Sequence, residues 1–193
     1  MQPRHAIGFM IGYTLAVIRA AGGPDISEEL ESIIPKLRKY RDDISGMEDN
    51  LAKDLASAYL GKVPIICSDC SMKSVSFRWK TQINENSKFV AFCESLPGTF
   101  MHSIENDLSH DNCIITILIG CDDCMCEGTD LLEKAADMLE MSSKPHRIVR
   151  LGGSSTLENM FKAIILGDYV SVYMAQARGI DAACLLYTSD AAD

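Results

Sequence analysis

From residue 61 onward, short runs of branched apolar residues alternate with longer segments whose apolar positions recur every three to four residues. The apolar runs predict strands over 63–67, 89–92, 114–119 and 147–151, and the segments between them predict helices near 71–84, 99–108, 127–141 and 155–178. Strands alternating with helices imply a parallel sheet covered on both faces, with the active site at the carboxyl ends of the strands. Before residue 61 the pattern is helical only. Residues 3–21 read as a helix with Pro3 near its first position, stopped by Gly22-Gly23-Pro24. A charged amphipathic stretch follows from Ser27 to about Tyr59, with Leu30, Ile33, Ile34, Leu37 and Tyr40 at helical spacing. Pro35 and Gly46 are its expected interruptions, and its charge runs read as solvated faces. No internal repeat or low-complexity segment is visible.

Composition narrows the class. Apolar residues make up 47% of the 193, enough for one sizeable core plus an appendage. The longest apolar run, Ala6 to Ile18, falls short of the roughly 20 residues that span a bilayer and reads as a buried core helix. A formal charge of -9, with no basic stripe carrying interleaved aromatics, argues against nucleic acid. A phosphorylated substrate remains compatible, because helix N-termini and one or two cations suffice to hold a phosphate. The clustered cysteines point to reduced thiols in the cytoplasm rather than to a disulfide framework. Cys67-x-x-Cys70 and Cys121-x-x-Cys124-x-Cys126 both follow strands, so a zinc site is geometrically conceivable; the reading preferred here is incidental thiols and no metal.

The stretch Arg78-Trp79-Lys80-Thr81-Gln82-Ile83-Asn84-Glu85-Asn86-Ser87-Lys88 carries the most specific chemistry. Its cations Arg78, Lys80 and Lys88 suggest a basic helical face. Glu85, between two amides and just before Phe89-Val90-Ala91-Phe92, would sit at a helix-to-strand junction, where a general base could be held by hydrogen bonds while facing a cleft. Ser154-Ser155-Thr156-Leu157-Glu158 mimics a phosphate-gripping loop. The spacing of Ser155 and Glu158 is also that of a capping box before an apolar helix, which is the favoured reading. Asp168 and Tyr169, inside that helix, are expected to serve packing or a dimer interface.

The 78–88 stretch closely resembles the Arg-Trp-Lys-x-x-x-x-Glu-Asn-x-Lys segment of the bifunctional phosphoglucose/phosphomannose isomerases, a branch of the sugar isomerase (SIS) superfamily. Gln2-Pro3-Arg4-His5-Ala6 is similar to the family's Pro-Arg-Ala segment, Leu60 to Ile66 to the first strand of its second SIS domain, and Gly153 to Asp181 to its last helix and the turn after it. The resemblance implies an SIS-type, flavodoxin-like three-layer sandwich over 61–183, preceded by a helical linker over 1–60 that follows a missing first SIS domain. It implies interconversion of glucose 6-phosphate or mannose 6-phosphate with fructose 6-phosphate through a cis-enediolate, without metal or redox cofactor, in a homodimer with a shared active site. Glu85 would be the proton-shuttling base and Arg4 the cation steadying the enediolate. His102 would be the ring-opening residue given across the dimer, although its neighbours differ from the family's and its position is off by about one residue, which rotates a helical side chain by about 100°; a helix-surface histidine is the other reading. A non-catalytic SIS module that binds a phosphosugar is the alternative function. Residues 184–193 resemble one frame of a common sequencing adapter and are expected to be non-native, so the chain reads as a fragment cut at both ends and inactive by itself.

Overall fold

The computed structural model describes residues 6–46, 48–105, 113–121 and 128–183. These divide into two compact units, one up to Lys39 and one from Tyr40 onward. The first unit holds α1 (Ile7–Ala20) and the start of α2 (Ser27–Ser45). Contrary to the reading of a buried core helix, no residue of α1 is buried, and Phe9, Met10, Tyr13 and Val17 are exposed. The turn between the helices uses Gly22 at φ +84, conformational space that glycine enters without strain. Arg19 then pairs with Asp25 at 3.0 Å, and the Asp25 carboxylate accepts from both the backbone N–H and the hydroxyl of Ser27. Those two hydrogen bonds from Ser27, aided by Arg19, hold Asp25 below the usual carboxylate range. Pro35 does not interrupt α2 as its sequence suggests: a proline removes one intrahelical bond, and this 19-residue helix runs through it.

In the second unit, α3 (Leu51–Tyr59) begins at Asn50, whose side chain accepts from the Lys53 N–H at 3.1 Å. The sequence reading places α3 in the linker; it packs on the last helix of this unit. Then follow β1 (Val63–Ser68), α4 (Lys73–Ser87), β2 (Phe92–Ser95), α5 (Gly98–Ile104), β3 (Ile114–Cys121), α6 (Gly128–Met141), β4 (His146–Leu151) and α7 (Thr156–Ala177). The four strands are all parallel in the order β2-β1-β3-β4, with Ile66 opposite Cys93 on one side and Ile117 on the other. Successive side chains of β3 enter different cores. Ile115, Ile117 and Ile119 join Trp79, Ile83, Leu166, Val170 and Met174 under α3, α4 and α7. Leu118 joins Cys67, Phe100, Leu132 and Leu139 under α5 and α6. The sheet is therefore buried on both faces, as parallel sheets require. The result is the expected three-layer α/β sandwich.

β2 starts later than its sequence suggests. Helix α4 continues to Ser87 and closes on Lys88 in the left-handed conformation (φ 52). Phe89 and Val90 form the link, and the strand proper is Phe92–Ser95. The Asn84 side-chain amide donates to the Phe89 carbonyl at 2.7 Å, holding that link against the helix end.

Candidate functional site

Parallel strands place the ends of the helices. Each helix starts at the carboxyl edge of the sheet and must return to the amino edge before the next strand begins. The last turn of α4 therefore lies at the amino edge, opposite the edge where sites in such sheets usually form, and so does that of α7, which runs alongside α4 with Ala163 beside Trp79 and Arg178 beside Ser87. The strand order reverses between β1 and β3, so the usual crevice would open beside the β1–α4 loop. There the Asp69 carboxylate accepts from the N–H of Ser71 (2.8 Å), the hydroxyl of Ser71 (2.6 Å) and the N–H of Met72 (3.1 Å), which starts α4.

Glu85, the candidate base, is half-buried in the last turn of α4 rather than at a helix-to-strand junction. Its two amide neighbours serve the helix. Asn84 holds the Phe89 carbonyl, and Asn86, buried, donates to Ser171 Oγ at 2.8 Å and to Gln82 Oε1 at 3.1 Å. The cations do not form one basic face. Arg78 pairs with Asp168 of α7 at 2.8 Å, the arginine side chain largely hidden from solvent. The ammonium of Lys80 lies 5.8 Å from the Phe77 ring centroid. Lys88 folds back and donates to the Glu85 carbonyl.

What fixes Glu85 is the α4–α7 interface. Trp79, fully buried, donates from Nε1 to the Ala163 carbonyl at 2.7 Å and lies over Gly167, where a Cβ would meet its ring at 2.4 Å. With Arg78–Asp168, Asn86–Ser171 and the Arg178 guanidinium donating to the Ser87 carbonyl, four polar ties run the length of α4. They set the helix's rotation, and Glu85 stands about 100° round from Asn86. These ties join residues more than eighty positions apart, so no local pattern signals them. Asp168 accordingly serves packing, and Tyr169 leans on Tyr173 with ring centroids 5.9 Å apart.

His102 is exposed in the last turn of the seven-residue α5. Because α4 packs on one face of the sheet and α5 on the other, the sheet stands between Glu85 and His102 within a chain. Arg4 lies outside the described residues.

The Ser154–Glu158 loop is a cap. Ser155 Oγ accepts from the Glu158 N–H at 3.2 Å, and Glu158 Oε2 reaches back to the N–H (3.0 Å) and hydroxyl (2.8 Å) of Ser154. Glu158 is only 2% exposed and pairs with Lys162 at 2.7 Å. A carboxylate of the chain itself thus occupies the anion-favouring start of α7. In the cysteine motifs, Cys67 is buried under α5 and α6, where burial pushes its thiol up, while Cys70 is exposed. Among the described residues, no group of three or more His, Cys, Asp and Glu could hold a metal ion; Cys124 and Cys126 lie outside them.

Comparison with known proteins gives the geometry a family. Bifunctional phosphoglucose/phosphomannose isomerase of Thermoplasma volcanium is 25% identical over 185 residues, covering 94% of this chain and 56% of that protein. The enzyme of the same description from Caldicellulosiruptor bescii is 30% identical over 195 residues, covering 91% and 54%. The chain thus spans about half the length of the curated relatives it matches. The crystal structure of a glucose-6-phosphate isomerase like protein from Thermus thermophilus superimposes with a TM-score of 0.68 at 19% identity, covering 86% of this chain and 57% of that one, and shows the same fold. Residues 48–185 match the family described as the bacterial phospho-glucose isomerase C-terminal SIS domain, and the chain belongs to that family.

Proposed function

We propose that this chain supplies the base-bearing half of an aldose–ketose isomerase acting on hexose 6-phosphates, glucose 6-phosphate or mannose 6-phosphate against fructose 6-phosphate. The observation that carries the reading is Glu85, half-buried on a helix end closed by cations, inside a segment similar to that of isomerases whose names state this activity. Once the sugar ring is open, the Glu85 carboxylate takes the C2 hydrogen as a proton, leaving a cis-enediolate, and returns it to C1. The hydroxyl proton moves from O2 to O1, so the exchange balances without redox chemistry. Arg4 is the cation assigned to the enediolate charge. His102 is assigned to ring opening in a neighbouring subunit's site, which its exposure and its separation from Glu85 by the sheet support. The working form is then a homodimer with shared sites, placed in the cytoplasm; among the described residues no helix is long and apolar enough to cross a membrane.

The test is Glu85→Gln in the whole polypeptide that carries this sequence. Glutamine keeps size and hydrogen bonding but cannot take the proton, so kcat should fall by about 10²–10⁴-fold with KM little changed. Turnover within a few fold of the parent would remove Glu85 from the role.

A further inference from the structure

A base on the last turn of a helix has a mechanical difficulty. The final carbonyls of a helix lack intrahelical partners, and the last turn frays more readily than the interior. In α4 those carbonyls belong to Asn84, Glu85, Asn86 and Ser87, so the candidate base sits on the part of the helix least held by its own hydrogen bonds. Trp79 to Ala163 in the helix interior and Asn86 to Ser171 in the last turn hold the buried side. The end itself is held by two cations. Lys88 Nζ, from the same loop, donates to the Glu85 carbonyl, and Arg178 Nη1, from the C-cap of α7, donates to the Ser87 carbonyl. The Arg178 guanidinium also lies 4.9 Å from the centroid of the Phe89 ring, where a cation is attracted to the aromatic face. Both contacts of Arg178 thus fall just beyond Glu85, on the residues through which the turn leaves the helix. Its own backbone is fixed: the Arg178 N–H donates to the carbonyls of Met174 and Ala175, and Gly179 turns the chain away at φ +66.

We propose that Arg178 is a positioning residue for the isomerisation, a clamp from α7 that holds the last turn of α4 so that the Glu85 carboxylate meets the substrate at a fixed place. This rests on the reading of Glu85 as the base. The planar guanidinium both donates to a carbonyl and stacks on a ring, a pairing that a lysine ammonium reproduces only in part. The two cations at the carbonyl end of α4 also complement its dipole.

The experiment compares Arg178→Met, Arg178→Lys and Glu85→Gln with the parent in the whole polypeptide, measuring kcat and KM for fructose 6-phosphate, melting temperature, and amide hydrogen exchange over 84–91. Because displacing a reacting group by about 1 Å can cost as much as a hundredfold in rate, Arg178→Met should lose about ten- to a hundredfold in kcat with KM within about twofold. Exchange over 84–91 should quicken, Arg178→Lys should fall between the two, and guanidinium ion at sub-denaturing concentration should restore part of the kcat of Arg178→Met. A parental kcat in Arg178→Met, with only the melting temperature lowered, would make Arg178 a plain structural cap. A rise in KM alone would make it a substrate contact; either result overturns the proposal. Failure of the base reading is separate, since it appears as activity in Glu85→Gln and withdraws the clamp's stated purpose with it.

Discussion

Replacing Gly167 by alanine would put a methyl carbon 2.4 Å from Cδ1 and Nε1 of Trp79 and 2.6 Å from Cε2. Carbon pairs rest at about 3.5–4.0 Å, so the methyl group intrudes by more than an ångström. The indole cannot swing aside: it is fully buried in the core formed with Ile83, Leu166 and Val170 and tied through Nε1 to the Ala163 carbonyl. Relief has to come from moving α4 against α7. Overpacking of this kind costs about 1–3 kcal/mol, and the rigidity of the ring places this site at the upper end. Alanine's better helix propensity offsets about 1 kcal/mol. The net loss is about 2 kcal/mol, which lowers the melting temperature by about 4–8 °C in a domain of this size. Thermal unfolding of Gly167→Ala, Trp79→Leu and the double variant checks both the size and the cause. Because leucine removes the indole edge, the alanine should cost much less in its presence, giving a coupling of at least 1 kcal/mol. An unchanged or raised melting temperature, or additive effects in the double variant, would refute the close-contact argument.

Glu158→Ala should destabilise the protein by about 3 kcal/mol in urea unfolding, because it removes the acceptor of Ser154 and leaves Lys162, 14% exposed, without its carboxylate; an unchanged midpoint would mean the loop does not depend on the cap. Burial pushes the Tyr40 hydroxyl up to about 12 and that of Tyr59 well above its ordinary value. The unfolded chain gives up these protons near pH 10 while the folded chain keeps them, so their contribution is fully present below about pH 10 and is lost as pH rises toward about 12. Unfolding curves across that window should show the decline, and Tyr40→Phe should make it shallower; an equal slope in the variant would show that Tyr40 is not its source.

Three of the four strands were legible within a residue or two: β1 and β3 because their apolar runs lie mid-sheet, where most of their residues are buried, and the edge strand β4 because its short run still buries Val149 and Leu151. The fourth was misread for a physical reason. Phe89-Val90-Ala91 looks like a strand, yet Val90 is exposed and Phe89 is engaged by Arg178, while the true strand, Phe92–Ser95, is a half-polar edge. The long apolar run of α1 likewise suggested a buried helix, and the helix has no buried residue. Glu85 could be singled out as a candidate from its neighbours in sequence. Its supports could not, because Ser171 and Arg178 come from a helix that begins some seventy positions later and meets α4 only through the sheet's topology.

The spacing along α4 has a consequence for how such a chain tolerates change. Trp79, Asn86 and Ser87 must meet Ala163, Ser171 and Arg178 at set heights along α7, and Glu85 takes its direction from the same helix. One residue inserted or deleted anywhere between Trp79 and Glu85 would turn everything beyond it by about 100° and shift it by about 1.5 Å. Every later tie would be lost together with the carboxylate's aim. The length of this segment is therefore fixed to the residue, and variation in chain length has to be taken up outside it.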